Sequence, residues 1–157
     1  MKHSVKFSDA IHIMSYIEMY QGTDLSSDTI ALSVTTNPVS VRKIMSQLKK
    51  SGLIISKNGK AEPKLARRPD TITLYDIYKS VAPEEKIFHV DETTEPACLI
   101  GGNIQTVLNQ TYDTWQKKVE DDMKQTTLSM IIEGIAQAEQ QRNPERQGNE
   151  ERIAPYL

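Results

Sequence analysis

The sequence has one cysteine, Cys98, among its 157 residues. One thiol cannot form a disulfide within the chain, nor supply the several thiolates of a cysteine-ligated zinc or iron–sulfur site. The three histidines, His3, His12 and His89, are scattered and have no short metal-binding spacing. The sequence therefore predicts no metal site and no cofactor.

Long apolar runs are also missing. No stretch approaches the roughly 20 residues that a membrane-spanning helix needs, and the N-terminal MKHSVKFSDA has no apolar signal region. We therefore expect a cytoplasmic protein without a membrane partner. Catalytic motifs such as a Gly-rich phosphate loop or a nucleophile elbow are absent as well, so we do not expect an enzyme.

Acidic residues are almost absent from one basic segment. Between Asn37 and Arg68 the chain has nine Lys or Arg and one acid, Glu62. The balance reverses later, because residues 1–70 hold 11 basic and 6 acidic residues, whereas residues 71–157 hold 8 and 15. A basic block in an otherwise acidic chain points to an anionic partner, although the charge alone favours a solvated face over such a partner.

Helix signals follow one another through the first third of the chain. Apolar residues recur at helical spacing up to Gly22, and Ser26 suits the N-cap of a short second helix. A third helix is predicted to begin at Asn37, with Pro38 in its first position, and to end before Gly52. Its buried stripe consists of Val41, Ile44, Met45 and Leu48.

The rest of the chain predicts a β-ribbon and further helices. Two short strands, at 53–56 and 64–67, flank an Asn58-Gly59 turn signal. Capping and periodicity predict later helices that begin at Thr73, at about Asn103, and at Thr126 or Thr127. Helix, short helix, helix and two-stranded ribbon is the element order of a winged helix-turn-helix.

In that arrangement the uncovered side of the third helix enters a DNA major groove, while basic residues and the helix N-terminus contact phosphates. The predicted DNA-binding surface comprises Thr36, Ser40, Lys43 and Gln47 for base contacts, Thr35, Arg42, Lys57, Lys60 and Arg67 for phosphate contacts, and Asn37 and Asn58 beside them. The alternative is a protein-interaction or dimerization module that uses the basic face without specific DNA binding.

Four segments, FSDAIHIM, TNPVSVRKIMSQLKKSGLI, LARRPDTITLYDIYKSV and GGNIQTVLNQT, together resemble the Rrf-two (Rrf2) family of bacterial transcriptional regulators. The resemblance covers about residues 5–125 in order and with matching gaps. It implies a mainly α fold with a small β-ribbon, in which a winged helix-turn-helix domain precedes a long dimerization helix. It also implies a homodimer on a palindromic double-stranded DNA operator, usually a repressor, with an effector that these motifs do not identify.

The resemblance divides the chain into a winged helix-turn-helix domain (1–81), a sensor-type loop (82–102), dimerization helices (103–138) and a polar, flexible tail (139–157). A stripe on the long helix would form the dimer interface, through Ile104, Leu108, Thr111, Trp115 and Val119. Trp115, together with Tyr112, could instead line an effector pocket.

The sequence departs from the family pattern in two places. Glu62 and Pro63 replace flexible wing residues, which puts entry of the wing into the minor groove in question. Cluster-binding members have three cysteines in the sensor-type loop, whereas this loop has Cys98 alone, so no iron–sulfur cluster is expected. Cys98 is either a redox-sensing thiol, able to join two subunits by a disulfide, or a half-buried small apolar residue.

Overall fold

A computed structural model of the chain describes residues 5–57, 62–145 and 148–157. Within these ranges the α-helices are α1 (Lys6–Met19), α2 (Ser27–Val34), α3 (Pro38–Lys50), α4 (Leu74–Val81), α5 (Ile104–Met123), α6 (Leu128–Arg142) and α7 (Glu150–Ile153). Strands β1 (Ile54–Ser56) and β2 (Pro63–Leu65) pair antiparallel, with Ile54 opposite Leu65. The predicted mainly α fold with a small β-ribbon is confirmed.

The predicted N-caps explain where four of the helices begin. Ser26, Asn37 and Thr127 each accept a hydrogen bond from a backbone N–H in the first turn of the helix that follows. Thr73 and Asp76 form a complete capping box, in which each side chain accepts from the other residue's backbone N–H. Caps of this kind contribute about 1 kcal/mol each, because they satisfy donors that the helix itself leaves unpaired.

The core lies between α1, α3, α4 and α6. Fully buried side chains meet there from every one of these helices, among them Ile13, Ile17, Leu48, Ile77 and Ile132. The predicted stripe of α3 belongs to this core, with Met45 half-buried at its edge. Burial of the stripe leaves the other side of α3 facing outward.

Helix α6 completes the core that α1 to α4 begin. The segments that precede α4 and α6 pair as an isolated antiparallel bridge between Thr73 and Thr127. Beside this bridge, Leu74 N–H donates to the Thr126 carbonyl at 2.9 Å, and Leu128 N–H donates to the Ile72 carbonyl at 2.8 Å. The segment that contains α4, the following loop and α5 therefore begins and ends at neighbouring points of the fold.

The described residues of the segment predicted as a flexible tail form regular secondary structure. Helix α6 continues to Arg142, and residues 148–157 form α7 and a short 3-10 helix at Ala154–Tyr156. Ile153 is 3% exposed, and Tyr156 packs against the core. The polar composition of the segment concealed these two anchors, because the segment is held by residues outside it, through packing on α6 and through Arg152 at Met19 and Tyr20. None of the helices that the structure describes is long and apolar enough to cross a membrane.

Candidate nucleic-acid interface

A short turn sets the orientation of α3 relative to α2. Thr35 ends α2 in the left-handed region, with φ 59° and ψ 50°, a conformation that costs about 1–3 kcal/mol in a β-branched residue. The N–H of Thr36 donates to the Ala31 carbonyl at 3.1 Å. The Asn37 side chain then accepts from Ser40 N–H at 2.8 Å and begins α3. The left-handed conformation of Thr35 therefore helps to set the orientation of α3 relative to α2.

Helix α3 exposes the side opposite its buried stripe. We call this side the outer face of α3, and it consists of Val39, Arg42, Lys43, Ser46 and Lys50. Val39, near the N-terminal end, is 51% exposed. The helix contains no acidic residue, and the ion pairs found among the described residues include none to these three cations. The outer face therefore carries uncompensated positive charge beside a small apolar patch.

Two residues predicted to contact bases lie on the flank of α3, away from the middle of the outer face. Ser40 and Gln47 are both half-buried. The side-chain oxygen of Gln47 is buried without a hydrogen-bond partner in the described residues, and its backbone carbonyl accepts from Ser80 Oγ of α4 at 3.2 Å. The carboxamide oxygen of Gln47 is therefore turned into the domain, while its contact with bases stays a prediction.

The remaining predicted residues of the turn and helix are accessible to different degrees. Thr35, Asn37, Arg42 and Lys43 are exposed, whereas Thr36 is half-buried. The carboxamide oxygen of Asn37 is already used in the helix cap. Val39 and Ser46 were missed by the sequence analysis. They lie nearly 180° from the buried stripe at 100° per residue, so the helical periodicity of the sequence contains the signal that identifies them.

Arg67, predicted to contact phosphate, is engaged elsewhere. Its Nη2 donates to Asp76 Oδ2 at 2.7 Å, the carboxylate that also accepts from Thr73 N–H at 3.0 Å. The pair joins the end of the ribbon to the start of α4. Because the guanidinium stays half-exposed, this pair contributes at most about 1 kcal/mol, and the phosphate contact of Arg67 stays a prediction.

The ribbon begins beside α3. Lys49 Nζ donates to Ser56 Oγ at 2.9 Å, which ties the last turn of α3 to β1. Lys57 follows and is exposed, while the predicted contacts Asn58 and Lys60 lie outside the described residues. In β2, Pro63 is buried and the neighbouring Lys64 is exposed. The described part of the wing thus extends the positive surface of α3.

Helix α5 presents a long, largely exposed surface. Gln116 is the one buried residue in its 20, all of which the structure describes. Its side chain accepts from Ile87 N–H at 2.9 Å and donates to Tyr78 Oη at 3.3 Å, anchoring α5 to the rest of the chain. Of the predicted dimer-interface residues, Trp115 and Val119 are exposed, and Ile104, Leu108 and Thr111 are half-buried.

The aromatic residues of α5 form a cluster with the loop that precedes it. The rings of Phe88, Tyr112 and Trp115 lie 5.5–5.6 Å apart, centroid to centroid. Trp115 nevertheless remains 44% exposed, and Val107 lies exposed on the same helix. The described part of the chain leaves this apolar surface uncovered.

Cys98 lies in a tight turn ahead of α5. The thiol is exposed, so the alternative of a half-buried apolar residue is wrong. Hydrogen bonds from the backbone N–H groups of Gly101 and Ile100 lower the pKa of Cys98, because they stabilise the thiolate. A Cβ at Gly101 would lie 2.3 Å from the Glu95 carbonyl oxygen, so the turn that directs these groups to sulfur requires glycine.

Comparison with known proteins identifies this arrangement. A model of the Rrf2 family, described as iron-dependent transcriptional regulators, matches residues 3–134. The chain belongs to the Rrf2 family. The resemblance inferred from the four sequence segments is thereby confirmed, and with it the expectation that the protein is not an enzyme.

Among its Rrf2 relatives, YwnA of Bacillus subtilis (strain 168), whose name describes a helix-turn-helix transcriptional regulator, is 37% identical over 123 residues. That match covers 78% of this chain and 91% of YwnA. A crystallised protein described as DNA-binding is 33% identical to this chain and has a TM-score of 0.66. The match covers 81% of this chain and 98% of that protein. CymR of B. subtilis, a global cysteine regulator, shares the fold with a TM-score of 0.58 and 24% identity, over 84% and 96% of the two chains.

The iron dependence in the family description does not fit the residues of this chain. Its single cysteine supplies one thiolate where a cluster needs several. Across residues 5–57, 62–145 and 148–157 no three His, Cys, Asp or Glu side chains come together as a metal site. We therefore derive no step through iron.

Proposed function

We propose that this DNA-binding transcriptional regulator acts as a homodimeric repressor in the cytoplasm, with each protomer laying α3 in the major groove of a palindromic operator. The observation that supports this most directly is the outer face of α3, which is positive, free of acids and held outward by a buried stripe on the opposite side. A major groove is wide enough to admit such a helix.

The outer face suggests a division of labour between its residues. Val39 offers methyl groups to the C5-methyl of a thymine, and Lys43 offers a donor to guanine O6 or N7. Arg42, Lys50 and Lys57 contact phosphates, with Thr35 at the helix N-terminus beside them. Thr36 and Ser40 remain candidates for contacts at the edge of the groove. This assignment replaces Gln47 with Val39 among the base contacts.

The dimer is proposed to form through the exposed apolar stripe of α5. Trp115 and Val119 lie four residues apart on this stripe, and a second copy of α5 would cover both. A two-fold dimer then places two copies of α3 on one side of the duplex. Half-site centres separated by one helical turn, about 34–36 Å, are expected.

The test is a DNA-binding titration with matched charge variants. An operator is first selected from random duplexes with the purified protein, and affinity is then measured by fluorescence anisotropy at several salt concentrations. Arg42→Ala is expected to weaken binding to operator and random DNA alike and to flatten the log-log salt slope by about 2 for two protomers. Arg142→Ala removes the same charge from an exposed residue at the end of α6. It is expected to leave the DNA affinity and the salt slope unchanged.

Three outcomes would count against the proposal. Equal effects of the two arginine variants would remove α3 from the interface. Absence of duplex binding by the wild-type protein at low salt would favour the alternative of a protein-interaction module. Selection of sites without two-fold symmetry would contradict the dimer.

A further inference from the structure

Helix α1 has an apolar face outside the core. Its core side contains Ala10, Ile13, Met14 and Ile17, all fully buried. The other face lines an open groove of about 440 Å³, together with one residue from α2 and one from α6. The lining consists of Ser8, Ile11, His12, Ser15, Tyr16, Met19, Tyr20, Ser33 and Ile135.

The groove has the size and composition of a small-molecule site. Its volume falls in the range of about 300–1,000 Å³ that such sites occupy. Tyr16 and Tyr20 stack with ring centroids 4.2 Å apart and planes within 4°, and Arg152, which is not part of the lining, lies over the Tyr20 ring. The lining contains no Asp, Glu, Lys or Arg. An uncharged ligand therefore suits it better than an ion.

One polar group in the lining has no partner. Ser15 is 4% exposed, and its hydroxyl makes no hydrogen bond with any part of the chain that the structure describes. Buried hydroxyls are nearly always hydrogen-bonded, because an unpaired one has lost its water without compensation. A ligand that hydrogen-bonds to Ser15 would remove this deficit.

We propose that the groove binds a small uncharged ligand, with an aromatic or aliphatic body against Tyr16 and Ile135 and one hydrogen-bonding group at Ser15. The site reaches the helix-turn-helix directly, because His12 Nε2 and Ser33 Oγ of α2 lie 2.8 Å apart at its edge. Helix α2 leads through Thr35 to α3. Binding therefore alters DNA affinity, a consequence that rests on the proposed function.

The experiment uses N-phenyl-1-naphthylamine, an uncharged probe with three aromatic rings and one N–H donor, whose fluorescence rises in apolar sites. The full-length wild-type chain is expected to bind one probe per chain in a saturable titration. Ile135→Trp fills the groove and is expected to weaken binding at least tenfold. Leu99→Trp makes the equivalent change at a residue that is 84% exposed in the sensor-type loop, and it is expected to bind as the wild type does.

Ser15→Ala tests the hydrogen bond. Loss of one neutral hydrogen bond is expected to weaken probe binding about fivefold, while removal of the unpaired hydroxyl leaves the protein no less stable to denaturant. Unchanged probe affinity in either Ser15→Ala or Ile135→Trp would overturn the proposed site. So would a lower molar mass for Ile135→Trp in light scattering, because a second copy of the chain would then be the occupant.

Probe binding is measured without DNA, so its outcome is separate from that of the proposed function. Saturating probe is then expected to change operator affinity at least threefold in wild type and Leu99→Trp, but not in Ile135→Trp. An unchanged operator affinity in all three would overturn the regulatory part. Failure of the wild type to bind any duplex would refute the proposed function and leave the titration of the groove intact.

Discussion

The guanidinium carbon of Arg152 lies 4.2 Å from the centroid of the Tyr20 ring, across a sequence separation of more than 130 residues. The same arginine donates from Nη1 to the Met19 carbonyl at 3.4 Å. A cation over an aromatic face is attracted by the ring quadrupole, by about 0.5–1 kcal/mol at exposed sites. The contact joins the end of the chain to the end of α1, beside the first turn of the helix-turn-helix domain.

The C-terminal segment is predicted to contribute to folding stability. Ile153→Ala removes a side chain that is almost fully buried and is expected to lower the free energy of unfolding by about 2–4 kcal/mol. Urea denaturation followed by circular dichroism provides the measurement. Leu157→Ala, at an exposed residue, serves as the control and should have little effect. A negligible loss with Ile153→Ala would restore the flexible tail predicted from the sequence.

Val39 and Gln47 are predicted to differ in their effect on operator discrimination. Val39→Ser removes methyl groups from the outer face of α3 and is expected to reduce the operator-to-random affinity ratio, with a loss of about 1–3 kcal/mol of discrimination for the base pair that Val39 contacts. Gln47→Ala is expected to leave that ratio unchanged. Binding of both variants to single-base operator variants gives the measurement, and the opposite ranking would return Gln47 to the interface.

The link between α4 and α5 is predicted to weaken in acid. Hydrogen bonding from Gln116, and then from Lys79 at 3.1 Å, lowers the pKa of Glu120 below its usual value. A carboxyl whose pKa is lower in the folded than in the unfolded state stabilises the fold above its unfolded pKa. This contribution is lost as pH falls through the folded pKa, so the loss begins below about pH 4.5.

The pH dependence of unfolding in wild type and Glu120→Gln provides the check. Between pH 5 and pH 3 the free energy of unfolding should fall more steeply in the wild type, because the variant has no carboxyl to protonate at this position. Parallel profiles for the two proteins would show that Glu120 has the same pKa folded and unfolded.

Cys98 is predicted to react faster with iodoacetamide than an unperturbed thiol below pH 8, because the backbone N–H groups that lower its pKa increase the thiolate fraction. Gly101→Ala forces a shift of the turn and is expected to move the pH midpoint of alkylation upward. Mass spectrometry of the labelled chain follows the reaction, with Cys98→Ser as the blank. The same midpoint in wild type and Gly101→Ala would exclude this role of the turn.

Local signals in the sequence were sufficient for much of the fold. The caps at Ser26, Asn37, Thr73 and Thr127 depend on residues three positions away, so the pattern of residue types contains the information. The buried stripe of α3 follows from helical periodicity alone. The same periodicity also identifies Val39 as an outward residue. It was not among the predicted contacts because its side chain is apolar.

Features that depend on distant contacts were not predictable in this way. Gln47 is half-buried because α4 covers one flank of α3, and the sequence of α3 does not specify which flank is covered. Arg67 is paired with Asp76, a partner set by the path of the chain between β2 and α4. Residues 148–157 are anchored by Ile153 and Tyr156. These two apolar residues lie in a segment that is otherwise mostly polar.

The Thr73–Thr127 bridge joins the start of α4 to the start of α6, so α4, the loop 82–102 and α5 form one segment whose two ends lie side by side. A change in the length of the loop or of α5 leaves the two bridged segments side by side. The loop and α5 can therefore change in length and sequence during evolution while the helices around α3 keep their packing.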